Sequence, residues 1–103
     1  MQQYFENREL VKFEYVKSEQ NKNKKQENII LANERIDKKW NSVNYKINNS
    51  TFAKVGFRES KFLNDDLRFN VFIDCYFKKT CFNNVNFTTS IFINCNFIFF
   101  SIF

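Results

Sequence analysis

The chain has 103 residues, a length that suits a single domain. Its composition is uneven, because 15 residues are Phe, one is Gly, and Pro and His are absent. A core drawn mainly from one residue type excludes the mixed core of an ordinary globular domain and indicates one structural position used many times. The formal net charge of +5 is mildly basic, so it permits an anionic partner without requiring one.

Secretion and membrane insertion are not expected. The N-terminal residues carry charges and contain no apolar run, so no signal peptide is predicted. The apolar stretch 91–103 is interrupted by polar residues and is shorter than the roughly 20 residues of a membrane span. Cys75, Cys81 and Cys95 lack C-x-x-C spacing and predict neither a disulfide framework nor a metal site. We therefore expect a reduced, cytoplasmic protein.

Residues 1–27 predict a short strand or helix followed by a polar linker. Within residues 10–16, Val11, Phe13 and Tyr15 alternate with charged residues, as in a half-buried strand. The apolar residues around positions 4–11 would equally share one side of a helix. Residues 17–28 are wholly polar, which favours a linker over a solvated helix surface.

An amphipathic helix is predicted within residues 28–49. Its apolar residues are three or four positions apart and would form one stripe, made of Ile29, Ala32, Ile36, Trp40 and Val43. Asn28 is a suitable N-cap for this helix. We expect the helix to cap or pack on the second half of the chain, with Trp40 as a packing anchor and a candidate interface residue.

From residue 50 onward the chain repeats every five residues. Eleven successive repeats hold a large apolar residue at the same position, namely Phe52, Phe57, Phe62, Leu67, Phe72, Phe77, Phe82, Phe87, Phe92, Phe97 and Ile102. The position two residues earlier is mostly small, as in Ser50, Val55 and Cys75. Positions two apart point the same way along an extended segment, so both series are expected to face one interior. The chain must then turn a corner in every repeat.

The segments CYFKK (75–79), VNFTT (85–89) and CNFIF (95–99) follow the order small, any, Phe or Leu, any, any. Over residues 50–103 the chain therefore resembles the pentapeptide-repeat family. This resemblance implies a mainly β fold, a right-handed quadrilateral β-helix with twenty residues per coil and about 2.7 coils in this segment. Residues twenty apart should lie above one another, with Phe72 between Phe52 and Phe92.

Two features interrupt the pattern of small inward residues. Asp65 occupies one of these positions and needs either hydrogen-bond partners or a local bulge. Cys75 and Cys95 fall in one column, where they are either two small buried residues or a redox pair.

Two surfaces are candidate interfaces. Outward positions on one side hold apolar residues, and a patch of this kind normally meets a partner; its members are Val71, Ile73, Ile91 and Ile93, next to Ala53. The last residues include Phe99, Phe100 and Phe103, the opposite of the polar cap that terminal repeats need. Either two chains stack end to end there, or the sequence is part of a longer repeat.

An enzyme is not predicted. The chain has no His, no glycine-rich phosphate loop and no recognised nucleophile motif. Asp65 and Asp66 are adjacent, so on a strand their carboxylates would point to opposite faces. We expect no catalytic residue, cofactor, metal or small-molecule substrate.

The function predicted from these patterns is a non-catalytic adaptor or protein–protein interaction module that forms homo-oligomers through the solenoid end or the apolar face. The family resemblance implies an alternative, because some pentapeptide-repeat proteins mimic duplex DNA and bind DNA gyrase or related topoisomerases. Six basic against four acidic residues in 50–103 oppose that reading. Weak nucleic-acid binding through Lys22, Lys24 and Lys25, with Lys38 and Lys39, is also disfavoured because acidic residues are interleaved.

Overall fold

The computed structural model describes residues 9–10, 25–36, 40–98 and 100–102. This part of the chain is a parallel β-solenoid of short strands and corners, and it contains no helix. The strands are β1 (Glu9–Leu10), β2 (Lys25–Glu27), β3 (Ile29–Ala32), β4 (Asn41–Val43), β5 (Lys46–Asn48), β6 (Thr51–Ala53), β7 (Lys61–Leu63), β8 (Val71–Ile73), β9 (Cys81–Asn83), β10 (Ile91–Ile93) and β11 (Ser101–Ile102).

The strands pair between coils and form parallel sheets along the solenoid. One sheet has the order β1-β3-β6-β8-β10, a second has β11-β9-β7-β4, and β2 pairs with β5. Phe52 pairs with Phe72, and Phe72 pairs with Phe92. Since these partners are twenty residues apart, the backbone hydrogen bonds of these strands run between neighbouring coils.

A residue with positive φ stands at each described corner. Thirteen of the described non-glycine residues have φ between 52° and 62°, and seven of them are Asn, namely Asn28, Asn33, Asn44, Asn49, Asn64, Asn84 and Asn94. This left-handed region is uncommon outside glycine, and Asn enters it more readily than most residues. The Asn-rich sequence can therefore make these corners without glycine; Gly56 itself does not have a positive φ.

The interior is filled by stacked aromatic rings. The ring centroids of Phe52 and Phe72 are 4.8 Å apart, those of Phe72 and Phe92 are 4.7 Å apart, and the rings are nearly parallel. Phe57 and Phe77 form a second stack with centroids 5.1 Å apart. A fully buried side chain of this size contributes about 1.5–3 kcal/mol, so these stacks are the main source of stability.

The helix predicted within residues 28–49 is wrong, and so is the predicted start of the solenoid at residue 50. Strands β2 to β5 already form coil structure in this region. Ile30 pairs with Thr51, 21 residues further on, whereas Asn41 pairs with Lys61, 20 residues further on. One extra residue between β3 and β4 thus breaks the period of five, and the remaining spacings of three and four imitate a helical stripe.

Residues 1–27 are described only in part. Leu10 belongs to β1, which pairs in parallel with β3. Residues 25–27, predicted as part of the linker, instead form β2 and pair with β5. The rest of the predicted strand or helix and of the predicted linker lies outside the described residues.

Candidate functional site

A buried polar network lies where the first coils depart from the repeat. Trp40 occupies a position that is small in regular repeats, while Ser42 takes the large position and pairs with Phe62 of the next coil. The indole Nε1 of Trp40 donates to Ser42 Oγ at 3.0 Å, and Ser42 Oγ donates to Asp65 Oδ2. Asp65 Oδ1 accepts from the backbone N–H of Tyr45 at 2.9 Å. Because the large and the small residue have exchanged positions in this repeat, the hydroxyl of Ser42 lies within reach of the buried carboxylate of Asp65.

Asp65 needs these partners because it is only 2% exposed. Burial raises the pKa of Asp65 from 3.8 to about 6, although the hydrogen bonds from Ser42 and Tyr45 act in the opposite direction. The adjacent Asp66 instead lies 2.8 Å from Arg68 Nε, which holds the pKa of Asp66 below its usual range. The two carboxylates are in different environments and do not form a cooperating pair.

Trp40 is in the interior and cannot serve as an interface residue. It is 2% exposed, and its ring meets Phe57 edge-on with centroids 5.6 Å apart. Its expected role as a packing anchor matches this position, but the anchor belongs to a coil and not to a capping helix. The indole fits because Ser42 leaves the neighbouring large position nearly empty.

The predicted apolar face, on the outer side of β6, β8 and β10, is covered at one end and open at the other. Ala53 and Ile73 are buried, so the chain itself covers them, and Val71 is half-buried. In β10, Ile91 is 55% exposed and Ile93 is 42% exposed. Among the four predicted face residues, the two in β10 are the ones open to a partner.

The last coil leaves the solenoid interior open. Phe97 is 37% exposed and Ile102 is 65% exposed, although both occupy inward positions of the repeat. An apolar cavity of about 430 Å³ lies here, and we call its lining the open end; it consists of Phe82, Phe87, Phe92, Phe97, Phe100 and Ile102. Phe99 and Phe103, which were also predicted at this interface, lie outside the described residues.

Phe69 is an exposed aromatic residue that the repeat pattern did not identify. It stands at a corner with φ of 62° and is 48% exposed. The guanidinium carbon of Arg68 lies 5.8 Å from the ring centroid. A bulky side chain in the left-handed region is strained, and such strain is often found at binding sites. In the sequence, Phe69 could have been recognised because it stands at a position that Asn fills in many other repeats.

In the part of the chain that the structure describes, no three His, Cys, Asp or Glu side chains are placed to hold a metal ion. Within residues 9–10, 25–36, 40–98 and 100–102, no helix is long and apolar enough to cross a membrane.

No protein-family model matches this chain, and no curated protein matches it. The chain is a parallel β-solenoid with Phe recurring every five residues, which is consistent with pentapeptide repeats. A solenoid of this kind fits a non-catalytic repeat protein.

Proposed function

We propose that this chain is a protein–protein interaction module of the pentapeptide-repeat type, in which two copies associate through their open ends. The observation that carries the proposal is the exposure of Phe97, Phe100 and Ile102 around an apolar cavity. Contiguous exposed apolar surface of this kind is typical of interaction sites. A second copy would remove these side chains from water.

The opposite side of the interior favours a symmetric arrangement. Ile29, Leu31 and Ile36, inward residues of the coil that contains β3, are buried, and β1 lies beside this coil. A head-to-tail stack would need an exposed interior at both ends of each copy. Two copies therefore meet open end to open end about a two-fold axis, the commonest symmetry of protein dimers.

The charge distribution is compatible with this contact. All residues that line the open end are uncharged, so the formal net charge of +5 does not place like charges inside the interface. Ile91 and Ile93 belong to the same last coil and extend the apolar surface onto its outer side. The positive balance of the repeat opposes mimicry of DNA, which requires a negative surface.

Light scattering coupled to size exclusion tests the proposal. We expect the full chain to have twice the mass of one copy and to dissociate on dilution. Ile102→Lys should give a monomer, because two lysines would be buried without partners in a symmetric contact. Phe69→Lys is the matched control, since Phe69 is also an exposed apolar residue but lies outside the open end, and it should remain dimeric.

Two results would contradict the proposal. One is a wild-type chain that stays monomeric at every concentration, and the other is an Ile102→Lys variant as dimeric as the wild type. Far-ultraviolet circular dichroism should show both variants folded, because each substituted side chain is already exposed to water.

A further inference from the structure

Two thiols occupy the same column in adjacent coils. The Sγ of Cys75 donates to the carbonyl of Phe52, and the Sγ of Cys95 donates to the carbonyl of Phe72, each over 3.3 Å. A parallel β-bridge joins the residues that follow the two cysteines. Neighbouring strands lie about 4.8 Å apart, which is within the Cα separation of roughly 4.4–6.8 Å that a disulfide spans.

The two cysteines differ in accessibility and in acidity. Cys75 is buried and Cys95 is half-buried at the last coil, and both thiols are free. Interaction with the neighbouring thiol of Cys95, together with burial, raises the pKa of Cys75, and interaction with the Cys75 thiol lowers the pKa of Cys95 to about 7. Cys95 is therefore suited to react first as a thiolate, while Cys75 is the adjacent thiol that can resolve the product.

We propose that Cys75 and Cys95 are a redox-sensitive pair that forms a reversible disulfide and fastens the last coil to the coil before it. The oxidant is a hydroperoxide. The Cys95 thiolate attacks the peroxide and breaks its O–O bond, which gives a sulfenic acid and hydroxide. The Cys75 thiol then attacks the sulfenic sulfur, the S–S bond forms, and the hydroxyl leaves with the Cys75 proton as water. The two thiols together lose two electrons and two protons, and hydrogen peroxide becomes two waters.

Cys81 provides an internal comparison. It lies in β9, and its ladder partners are Lys61 in β7 and Ser101 in β11. No cysteine stands above or below it in these described strands, so it has no thiol to resolve an oxidised sulfur within the chain. Oxidation should therefore leave Cys81 out of the intramolecular disulfide. Formation of the disulfide between Cys75 and Cys95 does not require the proposed self-association.

The experiment treats the full chain with stoichiometric hydrogen peroxide, followed by non-reducing peptide mapping. We expect a linked peptide that contains Cys75 and Cys95, one remaining free thiol, and full reversal by dithiothreitol. A disulfide between positions twenty residues apart should also raise the melting temperature by roughly 10 °C relative to the reduced chain.

Three variants distinguish the pair from general thiol oxidation. Cys81→Ser should form the link, whereas Cys75→Ser and Cys95→Ser should not form it. The serine variants should fold, because Ser60 and Ser90 occupy equivalent small inward positions. The proposal is overturned by three intact thiols after oxidation, by intermolecular dimers through Cys81 alone, or by over-oxidised Cys95 with no link to Cys75.

Discussion

Residues 25–36 with 40–49, and residues 85–98 with 100–102, all belong to coils of the solenoid, but their inward side chains differ in burial. The first region contains an extra residue and a mixed set of inward side chains, yet Ile36 and Trp40 are buried within the chain. The last region follows the period of five closely, yet Phe97 and Ile102 are exposed. A regular repeat buries its Phe residues only when another coil lies on top, so inward residues of the last described coil remain exposed. The irregular first region instead contains the polar network of Trp40, Ser42 and Asp65.

The largest effect is expected from removing a ring inside the stack. Phe77 lies between Phe57 and Phe97 and is buried, so Phe77→Ala should lower the free energy of unfolding by about 3–5 kcal/mol through lost burial and a cavity. Phe97→Ala at the open end should cost roughly 1–2 kcal/mol, because Phe97 is already partly in water. Urea unfolding measures both values, and equal losses would contradict the difference between interior and open end.

The polar network of the first region should make stability depend on pH. The folded-state pKa of Asp65 is about 6 against an ordinary 3.8, so the folded chain binds this proton more tightly than the unfolded chain. The resulting stabilisation is fully present below about pH 4 and is lost as the pH rises through about 6, a change of about 3 kcal/mol. Asp65→Asn mimics the protonated form and should therefore be more stable than the wild type at pH 7.

Urea unfolding at several values between pH 4 and pH 7 measures this effect. Asp66 has a lowered pKa and contributes the opposite pH dependence, but it is present in both proteins and cancels in their difference. A difference between wild type and Asp65→Asn that does not change with pH would show that Asp65 does not titrate in this range.

The smallest effect concerns the corners. Phe69→Asn should raise the free energy of unfolding by about 0.5–1 kcal/mol, because Asn enters the left-handed region at lower cost while the exposed contact with Arg68 is worth little. The reverse substitution at an equivalent corner, Asn44→Phe, should lower the free energy of unfolding by a similar amount. Thermal unfolding of the two variants measures these changes. Changes in the free energy of unfolding that have the same sign in both variants would show that Asn is not preferred over Phe at these corners.

The second half of the fold could be predicted because its period of five is short and uninterrupted. The first half could not, because a single inserted residue left Ile29, Ile36 and Trp40 at spacings that a helix also satisfies. A usable signal was present in Asn28 and Asn33, and again in Asn44 and Asn49, which are five apart and stand at corners. The spacing of apolar residues reflects only neighbours close in sequence. The structure is decided by pairing with a coil 20 or 21 residues away.

The amino-acid sequence by itself determined which side chains of residues 50–103 face inward, because that depends on the alternation of an extended chain and on the repeat length. Which of them are buried was decided by the tertiary structure. Phe52 and Phe92 occupy the same position in the repeat, but Phe52 is buried and Phe92 lines the open end. The partners of Asp65 likewise come from the preceding coil, 20 and 23 residues away. Burial and hydrogen bonding depend on the neighbouring coil, and the period of five carries no information about where the stack of coils stops.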